Sequence, residues 1–575
     1  MTALFDAERL LFTPAQPGLD AIPVVFAFPN AYSVGITSLG YQVVWATLAA
    51  RADLQVSRLF TDAQESLPSH PELLGFSLSW ELDYANILAM LERLGIPIRA
   101  EERGDDYPLV FGGGPVLTAN PEPFAAFFDV ILLGDGETLV DDFITAFHQV
   151  RGAERSEQLR HLVQVPGVYV PSLYDVTYAD DARAIASGAG SGFIRAIAPS
   201  DAAIPPVVEK QTYRGNVLSA STVVTEKAAW ENIYMVEVVR SCPEMCRFCL
   251  ASYLTLPFRT ASLEESLIPA IDRGLAVTHR LGLLGASVTQ HPEFDTLLDY
   301  LDQPKYDDVR LSIASVRTNT LTQKLARSLV KHDTRSVTIA VESGSDRLRQ
   351  VINKKLENEE IVQAAVNAKA GGLSAMKLYG MVGVPGEQPE DLEATVAMMR
   401  SLKQAAPGLR LTLGCSTFVP KAHTPFQWFG VNPEAEKRLK LLQKQLRPYG
   451  IDFRPESYNW SVIQALISRG DRRLALLLER VRHYGDSLGS YRRAFKELRG
   501  QVPDLDYYVH QDWALDQVLP WEHLRGPLPK ATLVKHRESA IALMEAKQDA
   551  DPADASDVLA SQLASQPSEA MPSLH

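Results

Sequence analysis

Six short apolar runs recur between residues 233 and 418: IYMVEVVR, LGLLGAS, VRLSIASV, SVTIAVES, KLYGMVGVPGE and LRLTLGCSTF. The segments between them, such as LEESLIPAIDRGLA and EDLEATVAMMRSLKQ, carry apolar residues at helical spacing. Strand and helix units in alternation predict a parallel sheet wrapped by helices. Six such units fit a curved, partial (β/α)6 barrel more economically than a flat sheet. In such barrels the chemistry sits at the carboxyl ends of the strands. Here those ends are Arg240 and Ser241, Ser287, Ser315 and Arg317, Glu342 and Ser343, Gly383 to Glu387, and Ser416 with Thr417.

An earlier alternating series spans residues 21 to 145. IPVVFAF (22–28), LLGFSLSW (73–80), PLVFGGGP (108–115) and DVILLGDGE (129–137) predict strands, and YQVVWATLAAR and YANILAMLERLG predict helices. The expected fold class is therefore α/β: a Rossmann-like open parallel sheet over 1–145, then the barrel over 231–432. Between them, 146–230 is expected to be a connecting region with β hairpins, being rich in Pro and Gly and containing AIASGAGSG. Runs such as EAEKRLKLLQKQL and RRLALLLERVRHYG predict a helical appendage over 433–547. The acidic, Ala- and Ser-rich stretch 548–575 is expected to be disordered.

CPEMCRFCL (242–250) holds three of the four cysteines of the 575-residue chain. The start of the chain lacks the pattern of a secretory signal, and no apolar run approaches the roughly 18 residues of a membrane helix, so a cytoplasmic protein is expected. In a reducing compartment a tight cysteine cluster reads as metal binding or redox chemistry. Closed structural zinc wants four protein ligands. The nearest candidates for a fourth, Cys415, His279 and His291, are far along the chain, so Cys242, Cys246 and Cys249 read as a centre left one ligand short.

The spacing Cys242, Cys246, Cys249, after the strand VEVVR and before a helix, resembles the signature of the radical S-adenosylmethionine superfamily. That resemblance implies a 4Fe-4S cluster held by the three thiolates, with S-adenosylmethionine on the fourth iron. It also implies reductive cleavage of S-adenosylmethionine and a low-potential electron donor such as flavodoxin or ferredoxin. It places Phe248 near the adenine and Gly285, Ala286 and Ser287 beside the methionine amine. Ser315 and Arg317 fall near the carboxylate. VESGSDRLRQVINKK (341–355) resembles the elongator-like and methylthiotransferase-like branch, in which Glu342 and Ser343 would contact the cofactor or start the next helix. YGMVGVPGEQPEDL resembles the turn passing the adenine, assigning Gly383, Pro385 and Gly386 to cofactor binding. FVPKAHTPFQW resembles a barrel-closing segment, with His423 read as structural.

A Rossmann-like domain ahead of such a barrel resembles the cobalamin-binding group of radical enzymes, and Gly112 to Gly114 would let a loop approach a ligand closely. Relatives with a histidine on cobalt carry Asp-x-His-x-x-Gly after the first strand, whereas this chain has PNAYSVGITSLG. Histidine ligation is thus unsupported, and cobalamin, another ligand or a purely positioning domain all stay open. Methylthiotransferases need three further cysteines for a second cluster, and only Cys415 remains. The expected activity is radical modification of an unidentified substrate, by hydrogen abstraction or cobalamin-assisted methyl transfer. The competing class is a non-catalytic, metal-containing RNA-binding protein or scaffold. A formal net charge of −14 disfavours a surface that grips nucleic acid throughout, tRNA included, although RGDRR (469–473) offers a local basic segment. No membrane association is expected.

Overall fold

A computed structural model describes residues 2–179, 192–314, 316–485 and 487–546. The first sheet contains β1 (Ile22–Ala27), β2 (Leu54–Leu59), β3 (Leu73–Ser77), β4 (Leu109–Gly113), β5 (Val130–Leu132) and β6 (Val168–Tyr169). Its order is β2-β1-β3-β4-β5-β6. The first five strands are parallel and β6 is antiparallel. Helices α1 (Leu39–Ala49), α2 (Tyr84–Arg93) and α3 (Gly136–Gln149) flank it. The chain leaves β1 for one edge and returns through β3 towards the other, which creates a crevice at the strands' carboxyl ends.

Four of these strands lie in the four predicted runs; β2 and β6 were not predicted. In β2 the sequence LQVSRL breaks its apolar run with Arg58, whose charge is met inside the fold by Glu8 and Glu65 at 2.8 and 2.7 Å. In the connecting region Tyr174–Ala179 pairs with Phe193–Pro199 in antiparallel fashion. All but the last residue of AIASGAGSG lies outside the described residues, as do Ser315 and the terminal acidic stretch.

The second sheet system comprises β7 (Ile233–Glu237), β8 (Arg280–Leu284), β9 (Arg310–Ile313), β10 (Ser336–Glu342), β11 (Ala375–Val382), β12 (Arg410–Thr417) and β13 (Asp452–Pro455). Strands β7 to β9 form one parallel sheet and β10 to β13 another. A bridge between Val316 and Ile339 joins the two into a partial barrel. All six predicted runs become strands. The seventh, β13, corrects the expectation that 433–547 is helical: four mostly exposed edge residues carry no apolar alternation to read.

Helices Tyr458–Arg469, Leu474–Tyr484 and Leu488–Glu497 share one apolar core with the first domain. The basic segment RGDRR, open to an anionic partner or to internal ion pairs, is consumed by internal pairing and packing. Arg469 is fully buried over the Trp513 ring, Arg472 pairs with Glu122 at 2.8 Å and Arg473 with Asp471 at 2.6 Å. Helix α4 (Asp346–Val351) follows β10, and helix α5 (Lys530–Glu545) packs against it near the end of the chain. Among the described residues no helix is long and apolar enough to cross a membrane.

Candidate functional site

The cysteines lie on the loop after Val239–Arg240, at the carboxyl end of β7. Ser241 and Met245 adopt φ of 73° and 57°, so the loop reverses twice within its first five residues. Such left-handed positions are costly for non-glycine residues and persist only where neighbours hold them. Here the neighbours are explicit. Asn353 donates to the Met245 carbonyl at 2.8 Å, Tyr253 donates to the same carbonyl at 3.2 Å, and Arg247 donates to the carbonyls of Gln350 and Val351 at 2.8 and 2.7 Å. The loop backbone is therefore a fixed frame.

Cys246 is buried, and Cys242 and Cys249 are half-buried. Burial pushes the Cys246 thiol up to about 12; Lys354 pulls it down, and Cys249, Glu342 and Cys242 push it further up. Burial also raises Cys249, with Cys242 adding to the rise. Cys242 thus adds to the rise at both of the other thiols. Among the described residues no three His, Cys, Asp or Glu side chains stand at metal-binding spacing, the loop cysteines included. The donor chemistry nevertheless fits a thiolate-bound centre with one open position. None of the distant candidates supplies a fourth ligand: Cys415 is packed in the barrel core, His279 is exposed beside Asp308, and His291 is bonded to the Ala261 carbonyl.

The strand ends converge on this loop. Gly285 has φ of 149°, and a Cβ there would stand 2.6 Å from the Val239 carbonyl oxygen, so only glycine lets β8 pass so close to the loop's root. Ala286 is exposed at the mouth, while Ser287 is buried and bonded to Gln290. Gln290 in turn donates to Glu244 at 2.5 Å, and Arg317 pairs with Glu244 at 3.0 Å. Glu244, inside the cysteine loop, is thus the hub that ties the loop to the ends of β8 and β9. The sequence reading missed it because a Glu between cysteines looks like a solvated spacer.

Glu342 ends β10 with φ of 65° at a bulge, and Lys354 donates to its Oε1 at 3.2 Å. Burial presses the Lys354 ammonium down, yet Glu342, with Cys246 behind it, holds it above the ordinary lysine range. Ser343 is turned inward: its hydroxyl accepts the Ser345 N–H and its carbonyl accepts from Arg349, so it starts α4. Phe248 packs with Ile352, Met381, Val384 and Met544 in one apolar cluster beside the Gly383–Gly386 turn. A Cβ on Gly386 would meet Met544 of α5 at 2.4 Å, and the Gly383 N–H donates to Glu387 at 2.7 Å. Pro385 sits between them on the same turn. His536, also on α5, bonds the Tyr253 hydroxyl at 2.8 Å. The C-terminal helix therefore belongs to the mouth, which no sequence signal indicated.

On the other side of the loop lies a cavity of about 280 Å³ at the carboxyl ends of β1, β3, β4 and β5. Its near wall includes Phe26, Phe76, Val44, Leu132 and Val140; its far wall is Arg240, Leu250, Leu254 and Thr255, which flank the cysteines. Among the described residues no histidine lines it. His70 is exposed. In PNAYSVGITSLG, Asn30 donates to Asp83 at 3.0 Å and serves a turn. Of the three glycines expected to approach a ligand, Gly113 and Gly114 line the cavity, whereas Gly112 gives space to Phe128 and Leu117. Arg240 pairs with Glu137 at 2.5 Å and Glu237 at 2.7 Å, and Arg259 with Asp135 at 2.6 Å. The pairs to Glu137 and Asp135 clamp the first domain onto the root of the cysteine loop.

Residues 236–399 match the radical SAM superfamily, and residues 41–171 match the radical SAM proteins' N-terminal family. An uncharacterized protein of Methanocaldococcus jannaschii is 26% identical over 459 residues, 79% of this chain and 90% of that one. An uncharacterized methyltransferase of Pyrococcus horikoshii is 26% identical over 178 residues, 29% of this chain and 37% of that one. Among solved structures, the radical S-adenosylmethionine methyltransferase TsrM of Kitasatospora setae, with cobalamin and a 4Fe-4S cluster bound, aligns at TM-score 0.49 and 15% identity over 71% of this chain and 77% of that chain.

Proposed function

We propose that this chain, a radical S-adenosylmethionine enzyme by its two matched segments, catalyses cobalamin-assisted methyl transfer, with Cys242, Cys246 and Cys249 holding the 4Fe-4S cluster. The observation that carries the choice of reaction is the cavity shared between the first sheet and the residues flanking the cysteines. Apolar side chains and glycine backbone dominate its walls, which suits the face of a broad, flat cofactor. When bound, the cluster supplies electrons at low potential and cobalamin supplies methyl-carrying chemistry at its cobalt.

The remaining roles belong to side chains. The loop frame of Asn353, Arg247 and Tyr253 orients the thiolates, and the Glu342–Lys354 pair sets polar groups beside Cys246 for S-adenosylmethionine. The close pass at Gly285 leaves Ala286 at the mouth, where backbone can meet the methionine end. Arg317 and Glu244 hold the third strand end to the loop. Apolar walls on the cavity side exclude water from the reacting groups.

The test is anaerobic reconstitution, followed by iron, sulfide and cobalt analysis and by reaction of the same sample with S-adenosylmethionine and dithionite. Stoichiometric cobalt together with S-adenosylhomocysteine supports methyl transfer. Release of 5'-deoxyadenosine alone from cobalt-free protein assigns the chain to hydrogen abstraction instead.

A further inference from the structure

Strands β10 to β13 turn one set of side chains to the helices and the other to the barrel lumen. Val337, Ile339, Leu378, Leu411 and Leu413 are buried with helix residues in the outer core. The alternating set forms two rows across the sheet. Thr338, Lys377, Thr412 and Asp452 are in register in the lower row; Ala340, Tyr379, Gly414 and Arg454 are in register in the upper row. Barrels normally fill this space with bulky branched side chains. Here the rows are polar or small, and Tyr379, on a strand paired on both sides, is 46% exposed. The inner face of the sheet is open to solvent at this level.

The charge on that face is unbalanced. The Asp452 carboxylate is occupied by Arg454 at 2.8 Å and accepts the Thr412 hydroxyl at 3.3 Å. Lys377 has no carboxylate within ion-pair reach among the described residues; its Nζ bonds the Tyr379 hydroxyl at 3.2 Å and lies 4.6 Å from that ring's centroid. Gly414 lies beside both: a Cβ there would rest in van der Waals contact with their side chains at 3.4 to 3.5 Å, so a larger side chain would enter the space next to them. The tyrosine holds the ammonium in place without neutralising it. A bulge in β10 sets Glu342 opposite Gly380, three residues above Lys377 and about 10 Å away at the strand rise, at the mouth.

We propose that Lys377 and Tyr379 form an anchoring site for an acidic group, carboxylate or phosphate, of the substrate, whose reacting carbon then reaches the mouth about 10 Å above. An ammonium and a phenol together offer charge and directed hydrogen bonds to an oxyanion. This assignment rests on the radical enzyme reading for the location of the reacting end, but the anion site itself does not depend on a loaded cluster.

The experiment titrates reconstituted protein with inorganic phosphate and, separately, with succinate by calorimetry, and measures dithionite-driven cleavage of S-adenosylmethionine on the same preparations. Wild type is expected to take one of the two anions, the preferred one identifying the group. Lys377→Met should weaken that binding by at least about 10-fold, Lys377→Arg should retain it, and Gly414→Val, which enters the space beside both without changing charge, should weaken it too. Binding of neither anion by wild type, or equal binding by Lys377→Met, overturns the proposal. Loss of S-adenosylmethionine cleavage in wild type with anion binding intact would strike the radical reading and leave the anion site standing.

Discussion

Lys354 Nζ lies 3.2 Å from Glu342 Oε1, on a residue whose backbone is held at φ of 65°. Both side chains are largely buried. Removing one charge from such a pair leaves the other uncompensated, at a cost of about 3 kcal/mol. Glu342→Gln should therefore lower the unfolding free energy of cluster-free protein by roughly that amount, and Glu342→Gln with Lys354→Met should recover most of it. Equal losses in the single and double variants, read by denaturant melts, would show that the pair is not the cause.

Cys246→Ala should abolish iron retention after reconstitution while the fold survives. The loop is pinned by Asn353, Arg247 and Tyr253 rather than by its sulfurs, so the stability change should stay near 1 kcal/mol, the ordinary cost of a conservative substitution. Iron assay and circular dichroism on one sample decide it.

Val44→Trp should separate the two cofactors. Val44 lines the cavity and is only half-buried, so a larger side chain can enter the space with modest overpacking. Cobalt uptake should fall to background with iron content unchanged. Unaltered cobalt would place that cofactor elsewhere.

Burial lifts the Asp83 carboxyl from 3.8 to about 6, against a lowering hydrogen bond from Asn30. A folded pKa above the unfolded one means the protonated form is favoured in the fold. Its contribution is therefore present below pH 3.8 and lost as pH rises through 6. Asp83→Asn should raise stability at neutral pH by on the order of 1 kcal/mol, allowing for partial exposure, with the gain shrinking towards pH 4. Thermal melts across that range test the sign.

His423 and His523 titrate the opposite way. Burial lowers both to about 4, so the fold holds them neutral. Their contribution is complete above pH 6.5 and lost as pH falls towards 4. His523→Gln should flatten the acid limb of the stability profile measured by denaturant titration; an unchanged limb would assign acid sensitivity to other groups.

The architecture was largely legible because periodicity reports burial. The strands β7 to β12 each carry an apolar set facing the helices, end in polar or small residues and alternate with helices, which a chain can satisfy in few ways. The strands β2 and β13 were not legible, since Arg58 is neutralised by Glu8, distant in sequence, and Asp452–Pro455 is an exposed edge. At the site, the cysteine spacing and the glycines at 285 and 386 carried local signals. Glu244, Lys354 and His536 carried none: each acquires its role from a partner on another element, Gln290 and Arg317, Glu342, and Tyr253. RGDRR shows the converse, a conspicuous pattern whose charges the fold spends internally.

The helix Lys530–Glu545 gives synthesis a schedule. It seats Met544 on Gly386 and His536 on Tyr253, yet it leaves the ribosome about 300 residues after Cys249. At typical elongation rates that interval is roughly 15 to 60 s. During it the thiols have been translated but their roof has not, which is a natural window for inserting a bulky inorganic centre before the entrance shuts.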